Sequence, residues 1–149
     1  MKPHSKWMLA LALAACMPVM AAETAATITS SANVRSGPDR SLPTVTWLLS
    51  GTRVTVVGCV SNWRWCDIVA GRDRGWVYSR YLSVPFQGSA ISIANGGPNL
   101  GLTVIDFDLG PYWDEHYPRK VFFGQKARWQ RSWDKRPAQP EWRERAPRG

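Results

Sequence analysis

Between residues 27 and 84, short runs of β-branched and aromatic residues alternate with turn residues such as Gly, Pro, Asp and Ser. The runs occupy residues 27–29, 33–35, 45–49, 54–59, 65–69 and 76–78. No helical period of apolar residues interrupts them. Short strands at this spacing, separated by turns, predict a small all-β barrel or sandwich.

Weaker β signals continue beyond the barrel, from residue 85 to residue 123. A Gly-Gly-Pro turn at 96–98 separates two β-prone stretches, residues 90–94 and 100–107. Because a turn of this kind reverses the chain, the two stretches are predicted to form a hairpin added to the barrel.

Residues 112–117 are predicted to form a short helix. Pro111 suits the first position of a helix, where its missing N–H is not needed, and Pro118 ends the helix. Asp114 and Glu115 are then expected in the first turn. Trp113 and Tyr117 are spaced to share one face. We expect that face to pack on the barrel.

The N-terminus has the organisation of an export signal. Residues 1–6 are positively charged, and the sixteen residues 7–22 carry no charge. This apolar stretch is interrupted by Pro18 and is shorter than the about 20 residues that cross a bilayer as a helix. We therefore predict a signal peptide over residues 1–22 and a mature protein that is periplasmic or secreted.

An alternative at the same terminus is lipidation. The segment Leu13-Ala14-Ala15-Cys16 resembles the lipobox of bacterial lipoproteins, in which the cysteine becomes the lipidated first residue of the mature chain. In that case the protein is anchored to a membrane through Cys16.

The chain holds three cysteines, at positions 16, 59 and 66. Cleavage of the signal and lipidation both leave Cys59 and Cys66 as an even pair, which suits an oxidising compartment. The six residues between them fit a disulfide across a hairpin. A metal site is the alternative, but once the signal is removed His116 is the one histidine left, and two cysteines with one histidine make a poor zinc set. We predict a structural disulfide and no metal.

The formal net charge of +8 is concentrated at the C-terminus. Residues 119–149 hold ten basic and three acidic residues. From residue 124 onward Arg, Lys, Gln and Pro dominate with almost no aliphatic residue, so we predict a disordered basic tail over 124–149. Its tryptophans, Trp129, Trp133 and Trp142, favour contact with an anionic membrane surface. Nucleic acid is not expected as a partner, because an exported protein rarely meets it.

Five short motifs follow one another between residues 33 and 82. They are Asn33-Val-Arg-Ser-Gly-Pro38, Leu49-Ser-Gly-Thr-x-Val-x-Val56, Trp65-x-x-Ile68, Gly75-Trp76-Val77 and Tyr81-Leu82. Together they resemble the bacterial SH3-like domain family, and the cysteine pair and Trp-rich basic tail resemble a periplasmic subgroup of it. The resemblance implies a five-stranded barrel over residues 24–84. It also implies a binding role toward cell-wall peptides or other envelope components, without catalysis.

The barrel region carries more large aromatic rings than one small interior holds. Some must therefore lie on the surface, where aromatic rings supply flat contact area with a polar edge. By resemblance to the family's ligand groove, the rings expected to face a partner are Trp63, Trp76, Tyr78 and Tyr81. Five arginines lie in or beside turns: Arg35, Arg64, Arg72, Arg74 and Arg80. Of these, Arg35 and Arg74 are the candidates to pair with an acidic group of that partner. The alternative for each ring is that it plugs an end of the barrel.

Catalysis and cofactor binding are not expected. Outside the signal peptide His116 is the one imidazole, and the sequence has no Gly-x-Ser-x-Gly motif and no phosphate-binding loop. The acidic segment 106–115 lacks the pattern of a calcium-binding loop. We predict a non-enzyme without cofactor that binds peptidoglycan or a wall-associated peptide. The alternative is an envelope interaction protein whose barrel is a scaffold and whose basic tail contacts anionic lipid or a protein partner.

Overall fold

The computed structural model describes Pro3, residues 12–17 and residues 23–136 of the chain. Eight strands form one sheet in this part of the chain. They are β1 (Thr24–Ile28), β2 (Ala32–Arg35), β3 (Thr44–Leu48), β4 (Arg53–Cys59), β5 (Trp65–Ala70), β6 (Asp73–Tyr78), β7 (Leu82–Phe86) and β8 (Ser89–Ser92). The helices are α1 (Ile93–Gly96), α2 (Leu109–His116) and α3 (Lys126–Asp134). Turns of 3₁₀ helix occupy Ser79–Tyr81, Gly97–Leu100 and Val121–Gln125.

Neighbouring strands of the sheet are antiparallel, in the order β3-β2-β6-β5-β4-β1-β7-β8. The predicted mostly-β, SH3-like class is confirmed, but the five-stranded barrel is not, because the sheet has eight strands and is not closed. The last strand is added by a tight turn at Gln87 and Gly88, whose φ angles are 48° and 81°. Residues with positive φ match the twist of a two-residue hairpin, so β8 folds back onto β7.

The hairpin predicted between residues 90–94 and 100–107 is wrong. The first stretch ends in β8, which pairs with β7, and the chain then enters α1. The second stretch runs alongside β4, where the N–H of Cys59 donates a hydrogen bond of 2.9 Å to the carbonyl of Thr103. Gly58 permits this close approach, because a Cβ there would lie 2.8 Å from the Thr103 carbonyl oxygen.

The inner face of the sheet buries an apolar core. Alternate residues of β4 point inward, so Val54 and Val56 are buried together with Ile68 of β5. This alternation is the expected pattern for a strand with one face on a core. Cys59 and Cys66 are cross-strand partners at the end of the same strand pair and form a disulfide. The disulfide prediction is confirmed.

The outer face of the β5–β6 pair is covered by the C-terminal extension. The predicted short helix is present as α2, but it begins at Leu109, so Pro111 is its third residue and Asp114 and Glu115 lie beyond its first turn. Trp113 and the C-cap residue Tyr117 are buried against the sheet as expected. Trp113 Nε1 donates a hydrogen bond of 2.8 Å to the carbonyl of Ser36. The Tyr117 hydroxyl donates one of 2.8 Å to the carbonyl of Arg74. The SH3-like sheet is therefore packed on both faces.

The predicted start of the disordered tail is wrong, because α3 follows directly after residue 125. Trp129 lies 6.5 Å from Trp113, and Trp133 lies 5.1 Å from Phe107, measured between ring centroids. The two α3 tryptophans are four residues apart and share one face, so aromatic packing replaces the missing aliphatic residues. The tail prediction for residues 137–149, and most of the signal peptide, fall outside the described residues. Within the described part, no helix is long and apolar enough to span a membrane.

Candidate functional site, an arginine–aromatic groove

Three aromatic rings form a row at one end of the β5–β6 hairpin. Trp65 begins β5 and is mostly buried, with 9% of its surface exposed. Tyr78 ends β6, and the two are cross-strand partners. Their ring centroids are 5.5 Å apart in an edge-to-face arrangement, and the Tyr81 ring lies 6.0 Å from that of Tyr78. The 3₁₀ turn after β6 places Tyr81, and it is fixed by a 2.8 Å hydrogen bond from the N–H of Ser79 to the carbonyl of Arg64.

Two adjoining cavities open along this row, with volumes of about 440 and 340 Å³. Both are lined by Arg40, Trp65 and Tyr78, and together we call them the arginine–aromatic groove. The first cavity is lined in addition by Asn33, Arg35, Arg80 and Tyr81. The second is lined in addition by Pro38, Asp39, Ser41, Asn62 and Arg64.

The charge of the groove is strongly positive, since four arginines line it against one acid, Asp39. Arg35 Nη1 donates a hydrogen bond of 2.9 Å to the hydroxyl of Thr44, which fixes its guanidinium. Arg40 and Arg80 are exposed, and neither forms an ion pair or hydrogen bond within residues 23–136. Their guanidinium groups are therefore open to an acidic ligand, which they can bind through paired hydrogen bonds.

A buried polar network lies beside the groove on the same hairpin. The Asp67 side chain is 2% exposed and accepts two hydrogen bonds of 2.8 Å from Arg74. The Tyr112 hydroxyl donates a third, also of 2.8 Å. Burial and the Asp67 charge raise the pKa of Tyr112, so the hydroxyl keeps its proton and remains a donor. The hydrogen bond to Asp67 raises the pKa of Arg74. This network attaches the C-terminal extension to the sheet.

Residues 30–83 match the family model of the bacterial SH3 domain. The chain contains a bacterial SH3 domain. All residues that line the arginine–aromatic groove lie inside the matched segment. The chain has no match among the curated proteins or the solved structures. Bacterial SH3 domains are typically binding modules, commonly for the cell wall, and are often extracellular or associated with the envelope.

The SH3 domain brings three of the six predicted ligand residues together, since Arg35, Tyr78 and Tyr81 all line the groove. Trp63 lies elsewhere. It occupies a left-handed turn between β4 and β5, with a φ of 61°, and its ring packs against the apolar core near Gly97.

Two residues that were predicted to contact a ligand, Trp76 and Arg74, do not line the groove. Trp76 is 0% exposed, and its ring packs edge-to-face on Phe107 at a centroid distance of 5.5 Å. Trp76 and Tyr78 alternate on β6 and point to the same side, but the C-terminal extension covers Trp76 and leaves the end of the strand open. Arg74 is held by Asp67 and does not line the groove.

The sequence pattern did not identify Asn33, Arg40 and Trp65 as lining residues. It also did not identify four loop residues of the second cavity: Pro38, Asp39, Ser41 and Asn62. A signal for Trp65 was present, because a two-residue turn at 71–72 places Trp65 opposite Tyr78 in the hairpin. Asn33 also follows from strand alternation, since it lies two residues before Arg35. Arg40 lies in the connection between β2 and β3, where no periodicity indicates which way a side chain points.

The acidic residues of the C-terminal extension lie outside the groove. Asp106 and Asp108 are exposed, and Asp114 forms an ion pair with Lys126. Glu115 Oε2 lies 3.8 Å from Nε2 of the adjacent His116 imidazole. In the described ranges, no three His, Cys, Asp or Glu side chains are grouped so that they could hold a metal ion.

Proposed function

We propose that this protein is an exported, non-catalytic binding module of the bacterial cell envelope, and that its arginine–aromatic groove holds peptidoglycan or a wall-associated peptide. One observation carries the proposal. The row of rings Trp65, Tyr78 and Tyr81 lies beside Arg40 and Arg80, whose guanidinium groups have no partner among the described residues.

The chemistry of the groove suits an acidic peptide. Peptidoglycan stem peptides are short chains that carry free carboxylates, and a guanidinium binds a carboxylate through two parallel hydrogen bonds. Flat aromatic rings add contact area for the apolar parts of the peptide and lose little side-chain entropy when they do so. The cavity volumes of about 440 and 340 Å³ also fall in the range of about 300–1,000 Å³ that is usual for ligand sites.

Export to the envelope is part of the proposal. The predicted signal peptide over residues 1–22 and the disulfide between Cys59 and Cys66 both support it, since disulfides persist in oxidising compartments. The mature protein is then periplasmic or secreted, or it is anchored through Cys16. A mass spectrum of the mature N-terminus distinguishes the two forms, because the first begins near Glu23 and the second at a lipidated Cys16.

A second candidate function is contact between the basic C-terminal segment and anionic lipid or a protein partner. Arg128, Arg131 and Lys135 are exposed on and just after α3, which favours an anionic surface. However, Trp129 and Trp133 pack into the aromatic cluster around α2. Because these rings are packed in that cluster, they are not available to insert at a membrane interface. We therefore favour the groove as the binding site.

Co-sedimentation of the full chain with purified peptidoglycan sacculi tests the proposal. Arg40→Glu and Arg80→Glu each place an acid in the groove and should weaken binding by about tenfold or more, because a lost charged hydrogen bond costs about 1.5–3 kcal/mol. Arg72→Glu is the matched control. Arg72 is also exposed, but it lies in the turn at the other end of the β5–β6 hairpin from Trp65 and Tyr78.

A parent protein that does not sediment with sacculi contradicts the proposal. Groove variants that bind no worse than the control show that the groove is not the site. Loss of binding when Arg128 and Arg131 are both replaced by Glu, with the groove variants unaffected, favours the second candidate function.

A further inference from the structure

The C-terminal extension reaches the rim of the groove through a single side chain. Arg136 Nη1 forms an ion pair of 2.6 Å with Asp39 Oδ2, and Arg136 Nη2 donates a hydrogen bond to the hydroxyl of Ser41. The guanidinium carbon also lies over the ring of Trp133, 4.7 Å from its centroid. Arg136 is therefore held by α3 on one side and by the loop between β2 and β3 on the other.

Asp39 is the one acid among the groove's lining residues within the described part of the chain. Its Oδ1 accepts hydrogen bonds of 2.7 Å from the N–H and from the hydroxyl of Ser41. Burial alone would raise the pKa of Asp39, but the Ser41 hydrogen bonds and the Arg136 charge outweigh burial and lower it. The carboxylate is therefore charged at neutral pH, next to Arg40 and in the same cavity wall as Arg64.

An unpaired carboxylate at this position would oppose the proposed function. It would attract the guanidinium groups that an acidic ligand needs, and it would repel the ligand itself, since like charges across an interface are unfavourable. In the structure, Arg136 occupies the Oδ2 atom of Asp39, so this competition does not arise.

We infer that Arg136 is a positioning residue of the groove: it neutralises Asp39 and so keeps Arg40 available to an acidic ligand. The inference rests on the proposed function for its ligand, an acidic peptide. It also means that the binding site extends past the matched SH3 segment, because residues 30–83 supply the groove and residue 136 supplies the group that neutralises its acid.

The inference is tested first without a ligand, by the NMR signal of the Arg40 side-chain Nε–H in the full chain. In Arg136→Ala, the freed Asp39 carboxylate should pair with Arg40, so this signal should shift and become protected from exchange. Arg136→Lys keeps the positive charge and should restore most of the parent signal. Asp39→Asn with Arg136→Ala removes the competing carboxylate and should also return Arg40 to its parent position.

An Arg40 signal that is unchanged in Arg136→Ala overturns the inference. The inference is also overturned if the Arg40 signal of the double variant is shifted as much as in Arg136→Ala. The shift would then report a general loosening of the loop. Thermal melts of all variants check that the fold is intact.

Sacculus binding provides the second readout. Arg136→Ala should bind about tenfold more weakly, a loss of about 1.4 kcal/mol, and the double variant should recover to within about twofold of the parent. A double variant that stays as weak as Arg136→Ala overturns the inference while the proposed function stands. A parent that never binds sacculi contradicts the proposed function, and the Arg40 signal then decides the inference by itself.

Discussion

At the scale of single residues, Asp67 shows how a polar side chain can organise an apolar strand. It is the one charged residue among the buried residues of the described chain, and all its partners are donors. Two of the donors come from Arg74 of the neighbouring strand and one from Tyr112 of α2. Because a buried charge is costly unless it is paired, this arrangement specifies how α2 lies on the sheet.

Asp67→Asn is expected to lower the free energy of unfolding by about 2–3 kcal/mol, because Arg74 then stays largely buried without its counter-charge. The control is Asp73→Asn on the same hairpin. Asp73 pairs at 3.6 Å with Lys120 where both side chains are more than a third exposed, so its loss should cost less than about 0.5 kcal/mol. Urea unfolding measures both, and equal effects would contradict the structural role given to Asp67.

His116 gives a pH-dependent prediction. Burial and the nearby Arg74 charge lower its pKa below the usual 6.5, against smaller opposing effects of Glu115 and Asp67. The unfolded chain therefore takes up a proton as the pH falls through about 6.5, while the folded chain resists it, so folding stability decreases below that pH. The loss between pH 7.5 and 5.5 should be smaller in His116→Gln. An NMR titration that places the His116 pKa at or above 6.5 would contradict this.

At the scale of secondary-structure elements, β-strands in the SH3 domain were predictable and the extension was partly so. The alternation in β4 and the end of α2 before Pro118 both follow from local signals in the sequence. The turn between β7 and β8 has no such signal in the sequence, since Gln87 adopts a positive φ that glycine or asparagine usually occupies. Helix α3 has no such signal either. Its composition indicates disorder, and the helix depends on the packing of Trp129 and Trp133 against the rest of the fold.

Removing α3 should destabilise the whole fold. A chain that ends at Phe123 loses the rings of Trp129 and Trp133, which pack around Leu109 and Trp113. Deleting buried aromatic side chains typically costs about 3–5 kcal/mol each, and these rings are partly exposed, so we expect a loss of several kcal/mol and a lower melting temperature. A chain that ends at Arg136 is the control and should melt like the parent. Equal melting of the two truncated chains would show that α3 is not part of the fold.

At the scale of the whole molecule, the extension decides which surface of the SH3 domain is open. Trp76 and Tyr78 are equivalent in the sequence pattern, but residues 105–117 cover the first and leave the second in the groove. That difference depends on contacts between segments that are distant in sequence, so strand periodicity could not predict it. For the same reason, two arginines become neighbours of the site only in the folded chain: Arg40, on an irregular loop, and Arg136, two residues after α3.

The most direct test of the groove as the binding site is an NMR titration of the ¹⁵N-labelled full chain with a soluble peptidoglycan fragment that carries its stem peptide. If the groove is the binding site, the indole N–H of Trp65 shifts together with the backbone signals of Asn33, Arg40, Tyr78 and Tyr81, and α3 is unaffected. Shifts confined to α3, or no shifts at millimolar fragment, would contradict it.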